Sequence, residues 1–427
     1  MTDRVRAWLA AWGPILPLLL AEATIWLGFG ALLPILPIYF TSHGVDLPTL
    51  GVVVAAWPAA RLVSEPVFGW LADRYSRKVL MVTGLSFATV CAVLPLFAVG
   101  PAAFIAARLA AGVCAAVYGP AARGYLVDAN PPERRGETFG LYGAAQMGGL
   151  MIGPAVGGIA AAATNEPSVV FWVAAVALAL SALLVGVRMP DLPRGVHNAA
   201  EAALEADAAI RPTRLANRLL ATAIVFSIGA FFAGGTYEVV WSLYLTSLGA
   251  GIGVIGLTFF TFALPVLVLS PFTGRFTDRE GGFYALVFGM AGVAACGVIY
   301  TLVPAIWFVV VFGLVEGSAF AFASPALYLL ISRASPPGRS STAQGLAGAA
   351  GTGGTIVASL AAGALANIDL RYPFWACTIG TMAALGVGLL IGRRRLWLAL
   401  QPHARPTAAP VVTPASAESR ALLDPQP

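Results

Sequence analysis

The chain consists of apolar runs separated by short polar stretches, and each run has the roughly 20 residues needed to cross a hydrocarbon core as a helix. Backbone polar groups must be paired in lipid, and the sequence lacks the alternating pattern of a membrane barrel, so the spans are expected to be α-helices. The pattern predicts twelve spans, near residues 14–40, 49–70, 79–99, 102–127, 139–163, 169–188, 218–246, 252–273, 283–303, 305–331, 342–366 and 372–392.

The composition supports this prediction. Of the 427 residues, 59% are hydrophobic and 11% are charged, whereas charged residues make up about 25% of ordinary soluble domains. A soluble fold could not bury this much apolar surface, which indicates an all-α membrane protein. The first apolar run continues to Phe40, far beyond the apolar region of a signal peptide. Residues 1–13 are therefore predicted to be a short segment before the first span.

Positive charge falls in alternate loops. The basic residues of these loops are Arg74, Arg77, Lys78, Arg134, Arg135, Arg275, Arg279, Arg333, Arg339 and Arg393 to Arg395, with further arginines between 188 and 218. The loops on the other side hold a single arginine, Arg371. The positive-inside rule then places both termini in the cytoplasm, and the protein in a cytoplasmic membrane. The net charge of +5 is explained by this topology, and nothing in it suggests a nucleic-acid partner.

The second half of the chain repeats the first at a constant offset of 205 residues, which relates Asp73 to Asp278 and Pro120 to Pro325. The repeat predicts two pseudo-symmetric bundles of six helices, a cytoplasmic linker between them and a disordered, proline-rich tail. The bundles are predicted at residues 14–188 and 218–392, the linker at 189–217 and the tail at 393–427. The layout is typical of a secondary transporter whose site lies between the repeats.

Several kinds of chemistry have no support in the sequence. The four cysteines lie inside apolar runs and the three histidines lie in loops or the tail, so no metal site is expected. A phosphate-binding GxxxxGK[ST] loop is absent, and no nucleophile and base are paired in the spans. We therefore expect neither an enzyme nor a cofactor, and a proton gradient is the expected source of energy.

The loop GWLADRYSRKVL, which begins at Gly69, concentrates charge in an otherwise apolar chain. Its charged residues are Asp73, Arg74, Arg77 and Lys78. The loop resembles the signature between the second and third spans of the major facilitator superfamily, with Ser76 where glycine is usual. The resemblance extends from about Pro14 to Arg395 and implies the major facilitator fold.

The charged loop is expected to act as a cytoplasmic gate. The carboxylate of Asp73 can face the start of the eleventh span, near Ser341, and gain about 0.3–1 kcal/mol from the helix dipole. Its basic neighbours would then pair with acidic groups and hold the cytoplasmic face shut. The loop GRFTDREGG, with Asp278 and Arg279, is similar to a degenerate copy of the signature. The alternative is that these charges only set the orientation.

The fifth span contains small residues at regular spacing, in GLYGAAQMGGLMIGPAVGG. This pattern resembles the fifth-span signature of the drug:proton antiporters within the same superfamily. Small residues let helices approach closely, and proline permits a bend. The alternative is a role in packing alone. The residues that carry the resemblance are Gly149, Gly153, Pro154, Gly157 and Gly158.

Four ionisable residues lie within spans that line the central cavity in proteins of the resembled fold. They are Glu22, Arg108, Glu238 and Glu316. Such residues are costly in a membrane and indicate a functional site. Arg108 resembles the fourth-span arginine of the superfamily's proton-coupled members, and its depth suggests Glu22 as its partner. Glu316 has no basic partner nearby in sequence, and Glu238 is close enough to the outer surface to be solvated.

Two further groups of side chains stand out: charges that are expected to be structural or to support the gate, and aromatic residues of the cavity. Arg61 and Glu65 lie one helical turn apart in the second span and are expected to pair, while Arg123 and Asp128 lie near the cytoplasmic mouth of the fourth span. Aromatic side chains suited to amphiphilic or cationic substrates are expected to form the cavity walls, unless they face the lipid. The aromatic candidates are Trp26, Tyr118, Tyr142, Tyr237 and Trp241, together with Phe29 and Phe320.

The sequence therefore favours a monomeric secondary transporter that exports small hydrophobic or cationic compounds in exchange for protons by alternating access. The expected partners are a small-molecule substrate, protons and the lipid bilayer. A metabolite or sugar porter on the same fold is the alternative. Hydrophilic substrates usually need several polar cavity groups, and Gln146 and Gln344 are the obvious ones here.

Overall fold

The computed structural model describes residues 12–13, 15–130, 135–191, 217–335 and 340–401. Regular structure within these residues is helical. In chain order the helices are α1 (Leu16–Leu32), α2 (Leu36–Ser42), α3 (Leu47–Arg74), α4 (Arg77–Phe97), α5 (Pro101–Ala129), α6 (Arg135–Thr164), α7 (Val169–Arg188), α8 (Arg218–Ser247), α9 (Ile252–Glu280), α10 (Phe283–Leu302), α11 (Ile306–Ala334), α12 (Ser340–Ala366) and α13 (Tyr372–Ala399).

The first predicted span is broken into two helices. Helices α1 and α2 meet at an angle of 42° across residues 33–35. Pro34 lies in the break, where its missing N–H cannot continue the helical hydrogen bonds, and Pro37 occupies the first turn of α2. Among the described residues eleven helices are long and apolar enough to cross a membrane, and the broken pair brings the number to twelve if it forms one span.

Polar side chains cap two helices at their amino-terminal ends. The Ser76 hydroxyl accepts a hydrogen bond from the N–H of Val79, 3.3 Å away, and donates one to Asp191 Oδ1 at 2.9 Å. Serine is a preferred N-cap residue, which accounts for its presence where the resembled signature has glycine. Asn217 caps α8 in the same way, by accepting a hydrogen bond from the N–H of Leu220 at 2.7 Å.

The same pairs of helices pack together in both halves, as the sequence repeat predicts. In the first half α1 packs on α6 and α7, α3 packs on α5, and α4 packs on α5 and α7. In the second half α8 packs on α12 and α13, α9 packs on α11, and α10 packs on α11 and α13. The assignment of residues 189–217 as a linker stays a prediction, since 192–216 lie outside the described residues.

The last helix extends beyond the predicted end of the twelfth span at residue 392. Helix α13 is interrupted at Arg393, where φ is 45° and ψ is −137°, and then continues to Ala399. Leu396 and Leu400 are buried in the core of the second half, and the Arg333 guanidinium donates hydrogen bonds to the backbone carbonyls of Ala399 and Gln401. These contacts fix residues 393–401 to the bundle, whereas the predicted disorder of 402–427 lies outside the described residues.

The two ends of the bundle differ in charge. We call the end that carries Arg74, Arg77, Arg218, Arg275 and Arg333 the basic face, and the opposite end the outer face. Helices of the two halves meet most extensively where α3 packs on α12 and α6 packs on α9, and α8 also contacts α2 and α3. The positive-inside rule predicts that the basic face is cytoplasmic.

The backbones of the two halves come closest near the outer face. A Cβ added to Gly363 in α12 would lie 2.8 Å from the Cα of Gly51 in α3, and one added to Gly256 in α9 would lie 2.9 Å from the carbonyl oxygen of Pro154 in α6. The glycines described near the basic face on these four helices approach no atom of the other half in this way; they are Gly69, Gly140, Gly274, Gly345 and Gly348. The bundle is therefore closed at the outer face.

Candidate functional site

A buried ion pair joins the two halves. Arg108 of α5 and Glu238 of α8 lie 2.9 Å apart, with 7% and 15% of their side chains exposed. The guanidinium also donates hydrogen bonds to the carbonyl oxygens of Val53 and Val54 in α3, at 3.4 and 3.5 Å. These extra acceptors matter because a buried charge is tolerated when it is paired and its remaining donors are used.

The predicted pairing of Arg108 with Glu22 is wrong in this structure. Both residues have the expected depth, but depth does not determine the direction in which a side chain leaves its helix. The observed partner, Glu238, belongs to the other half of the chain, and it is held at the pair rather than solvated at the surface. The pair thus links the two halves, whose separation would open the outer face.

Glu22 of α1 is buried among neutral hydrogen-bond donors, with 2% of the residue exposed. Its Oε2 accepts from the hydroxyl of Tyr118 at 2.5 Å, and its Oε1 accepts from Gln146 Nε2 at 2.6 Å and from Trp26 Nε1 at 2.9 Å. Hydrogen bonds of this kind stabilise the negative charge of a carboxylate in the absence of a cation. Tyr142, another predicted cavity residue, packs with Tyr118 in the same core cluster.

Glu316 of α11, in the second half, is buried to a similar extent, with 3% of the residue exposed. Its Oε2 accepts a hydrogen bond from the hydroxyl of Tyr300 at 2.8 Å. The other oxygen, Oε1, is buried without a hydrogen-bond partner among the described residues, and so is the hydroxyl of Tyr237. No lysine or arginine in the described part of the chain forms an ion pair with this carboxylate.

Aromatic rings surround Glu316 on one side. Trp241 lies 5.3 Å from Tyr237 and 4.9 Å from Tyr300, measured between ring centroids. Its indole N–H donates to the hydroxyl of Thr258 at 2.9 Å, so the ring is held in place. An uncompensated carboxylate beside electron-rich rings is a suitable site for a proton or an organic cation.

Helix α8 contributes a residue to each of two sites, the Arg108–Glu238 ion pair and the aromatic group beside Glu316. Tyr237 belongs to the aromatic group around Glu316, whereas the next residue, Glu238, reaches across to Arg108. A movement of α8 that separates the halves would therefore change the surroundings of both carboxylates. Sequence reasoning identified Tyr237 and missed Tyr300, whose helix, α10, was not expected to contribute to the site.

Part of the predicted gate can be placed. Arg74 lies 3.8 Å over the ring of Trp70, and Arg77 pairs with Asp128 at 2.7 Å within the first half. Gly69 lies beside Pro120, with 3.9 Å between an added Cβ and the proline Cβ, and Lys78 is half-buried. The side chains of Asp73, Asp278, Arg279, Ser341 and Thr342 lie outside the described residues. The gating role stays a prediction.

The small residues of α6 divide into two groups. A Cβ added to Gly149, Gly153 or Gly157 would collide with α1, at the carbonyl oxygens of Ala23, Leu27 and Ala31, respectively. These three glycines bring α6 against α1 within the first half. Gly158 faces α9 in the other half instead, beside Gly253, while Pro154 contacts both helices, with its ring beside Gly30 of α1 and its carbonyl oxygen beside Gly256 of α9. The motif thus combines packing inside one half with contact between halves.

No group of three or more histidine, cysteine, aspartate and glutamate side chains that could hold a metal ion occurs in the described ranges.

Comparison with known proteins gives matches along the whole chain. The model of the Major Facilitator Superfamily matches residues 18–239 and 223–425. Quinolone resistance protein NorA of Staphylococcus aureus (strain MRSA252) is 23% identical over 385 residues, which cover 88% of this chain and 96% of that protein. Multidrug resistance protein 2 of Bacillus subtilis (strain 168) is 30% identical over 135 residues, which cover 32% of this chain and 34% of the relative.

Solved structures share the arrangement of helices. A bacterial homologue of the human lysosomal transporter Spinster, in an inward-facing and unoccupied conformation, matches with a TM-score of 0.71 and 13% identity, over 92% of this chain and 99% of that one. A D-xylose–proton symporter matches with a TM-score of 0.68 and 17% identity, over 88% and 96% of the two chains. At these identities the similarity shows the fold alone, and it confirms the predicted fold class.

Proposed function

This chain belongs to the major facilitator superfamily, and on that basis we propose that it exports small hydrophobic or cationic compounds in exchange for protons. Membership makes it a multi-pass membrane transporter rather than an enzyme. The proposal adds the direction of transport, the coupling ion, a cytoplasmic membrane with both termini inside, and a monomer as the working unit.

Two lines of support concern the substrate. The relatives that cover most or part of this chain are named for resistance to quinolones and to multiple drugs. The solved structures of similar fold include sugar and nucleoside transporters, and a fold by itself does not select a substrate. The aromatic rings beside Glu316 favour an amphiphilic cation, since such rings attract cations. A sugar would need polar cavity groups, and one of these, Gln146, already donates a hydrogen bond to Glu22.

The observation that carries the proposal is the uncompensated carboxylate of Glu316. A buried negative charge without a counterion costs several kcal/mol, so the two halves can close around it at lower cost once it holds either a proton or a cation. The proton and the cation compete for the same oxygens. A transporter that carries the cation in one direction and the proton in the return direction is an antiporter.

The substitution Glu316→Gln is expected to abolish proton-linked transport, because an amide at this position has no negative charge for a cation or a proton to neutralise. The measurement uses liposomes with an imposed pH gradient, a panel of lipophilic cations outside and a pH-sensitive dye inside. Wild-type protein should move protons only when a cation is supplied. Glu166→Gln, which alters an exposed loop carboxylate, serves as the control. Undiminished proton movement in Glu316→Gln would refute the role of Glu316 in coupling. Transport of sugars in place of cations would support the alternative function, a metabolite or sugar porter.

The substitution Glu22→Gln is expected to abolish pH-driven transport while substrate binding and folding persist. The amide oxygen can still accept from Gln146 and Trp26, and the hydroxyl of Tyr118 can rotate to accept from the new NH₂ group. Binding is measured by quenching of tryptophan fluorescence in detergent, and transport by the same liposome assay. If Glu22→Gln transports at the wild-type rate under a pH gradient, Glu22 has no part in coupling.

A further inference from the structure

The chain turns where the last span ends and then continues as a short helix. Arg393 has a φ of 45°, a left-handed value that is unfavourable for most residues other than glycine. A strained conformation of this kind persists only where the surrounding structure holds it. We call residues 393–400 the terminal segment, and the strain at its start indicates that contacts beyond the span fix its position.

Contacts with the second half hold the terminal segment in place. Leu396 and Leu400 are fully buried. The carbonyl oxygen of Leu400 accepts a hydrogen bond, at 2.8 Å, from the N–H of Gly282 in the turn between α9 and α10. The guanidinium of Arg333 in α11 donates to the carbonyl oxygen of Ala399. The side of the segment that faces away from these contacts is therefore fixed in position as well.

Four exposed arginines are grouped at the terminal segment. Residues 393–395 are consecutive arginines, and all three are exposed. The fourth is the exposed Arg218 of α8, which lies one helical turn before Thr222. A Cβ added to Gly392, the residue before the segment, would lie 3.1 Å from the hydroxyl oxygen of Thr222. None of the four arginines forms an ion pair within the ranges that the structure describes, so the group attracts anions.

Large apolar side chains are exposed directly after these arginines. Trp397 and Leu398 are 42% and 53% exposed. Tryptophan is enriched where hydrocarbon meets the lipid headgroups, because its ring is apolar and its N–H is polar. Leu390, one turn before the strained residue, is 69% exposed and belongs to the lipid-facing surface of α13. The terminal segment thus exposes basic and apolar side chains together at the end of the span.

This combination favours an amphiphilic ligand over a soluble anion. A guanidinium group binds a phosphate through paired hydrogen bonds, which would account for the arginines alone. A soluble anion would leave the exposed tryptophan and leucine without a role. A phospholipid with a net negative charge carries its phosphate next to its acyl chains, so it matches both kinds of side chain.

We propose that the terminal segment and Arg218 form a binding site for an anionic phospholipid in the leaflet at the basic face. The guanidinium groups bind the phosphate, and the acyl chains lie against Trp397 and Leu398. The bound lipid holds the segment against the turn at Gly282 and so stabilises the second half. The site is separate from the buried carboxylates, and it does not depend on the substrate, the direction of transport or the coupling ion.

The test measures how dansyl-labelled phosphatidylglycerol binds to the full-length protein in micelles of detergent and phosphatidylcholine, by energy transfer from tryptophan. One arginine beside an anionic headgroup contributes about fivefold in affinity, so the double substitution Arg394→Gln and Arg395→Gln is expected to weaken binding roughly 30-fold. Lysine at both positions keeps the charges and should cost less than about threefold. The matched control, Arg188→Gln with Arg275→Gln, removes two exposed arginines of the basic face on α7 and α9 and should cost less than about twofold.

Competitors and an apolar variant distinguish the lipid from other ligands. Unlabelled phosphatidylglycerol should displace the labelled lipid, whereas equal concentrations of phosphatidylcholine or glycerol 3-phosphate should not. Leu398→Gln, which removes no charge, should weaken binding about fivefold through lost apolar contact. Equal displacement by glycerol 3-phosphate, with no effect of Leu398→Gln, would indicate a site for a soluble anion and would overturn the lipid site. Equal displacement by phosphatidylcholine would exclude recognition of the charge.

Thermal unfolding separates lipid binding from folding. In phosphatidylcholine alone the double glutamine variant should unfold at the wild-type temperature, because the substituted side chains are exposed and form no ion pair in the described part of the chain. Adding phosphatidylglycerol should raise the unfolding temperature of the wild type and of the lysine variant, and leave that of the glutamine variant unchanged. An equal rise in the glutamine variant, or unweakened binding by it, would overturn the site.

Discussion

Glu238→Ala is expected to destabilise the structure with the closed outer face by about 3–5 kcal/mol, and to abolish transport. The substitution leaves the guanidinium of Arg108, which is 6% exposed, buried without its counterion. The carbonyl oxygens of Val53 and Val54 remain as acceptors but carry no full negative charge. The protein can lower this cost by separating the halves and hydrating Arg108, so the outer face should open.

The measurement is thermal unfolding in detergent, combined with transport in liposomes. The double substitution Arg108→Leu and Glu238→Leu is the informative control, because removing both charges of a buried pair is often neutral or stabilising. It should therefore recover most of the lost stability. Glu166→Ala controls for loss of an exposed carboxylate. A Glu238→Ala protein as stable as wild type would show that the pair contributes nothing to closure.

Gly363→Ala is expected to shift the protein strongly toward a state with an open outer face. An added Cβ at this position would lie 2.6 Å from the carbonyl oxygen of Leu47 and 2.8 Å from the Cα of Gly51, both in α3. Backbone atoms of a helix cannot move aside as a flexible side chain can. Overpacking of about 1–3 kcal/mol corresponds to a change of roughly 5- to 150-fold in the ratio of closed to open molecules.

The distance between spin labels at Ser42 and Asn367 measures this shift, since both residues are exposed near the outer face, one in each half. We expect a longer distance in Gly363→Ala and a lower transport rate, because the protein returns to the closed state less often. Gly386→Ala is the matched control, as an added Cβ there meets no atom within 4 Å. An unchanged distance distribution in Gly363→Ala would show that the contact of α3 with α12 does not limit closure.

The sequence predicted the fold well because each span is determined locally. Hydrophobic length specifies a crossing helix, loop charge predicts its orientation, and the repeat at a constant offset predicts that both halves pack alike. The break in the first span was not predicted; Pro34 lies there inside an apolar run. A hydropathy pattern registers apolar character and does not register the missing N–H of a proline.

The sequence singled out four ionisable residues within the spans, and it predicted the pairing of Arg61 with Glu65 but not that of Arg108. Charges within apolar spans identified Glu22, Arg108, Glu238 and Glu316, since each is costly in lipid whatever its neighbours are. Their partners depend on how the helices are rotated and which half each side chain faces. Tyr300 illustrates the limit: nothing in its local sequence distinguishes it from an interfacial tyrosine, and only the packing of α10 against α11 brings its hydroxyl to Glu316.

The glycine pattern of α6 shows the same division. Its spacing established that another helix approaches closely, because small residues four apart form one face. Which helix approaches was decided by the tertiary structure, with Gly149, Gly153 and Gly157 against α1, Gly158 against α9, and Pro154 between the two. The sequence by itself determined which residues form the spans, which small residues allow close helix contacts and which charges lie within the membrane. Contacts between distant parts of the chain required the tertiary structure, because partners such as Arg108 and Glu238 come from separate halves and are selected by helix rotation and packing.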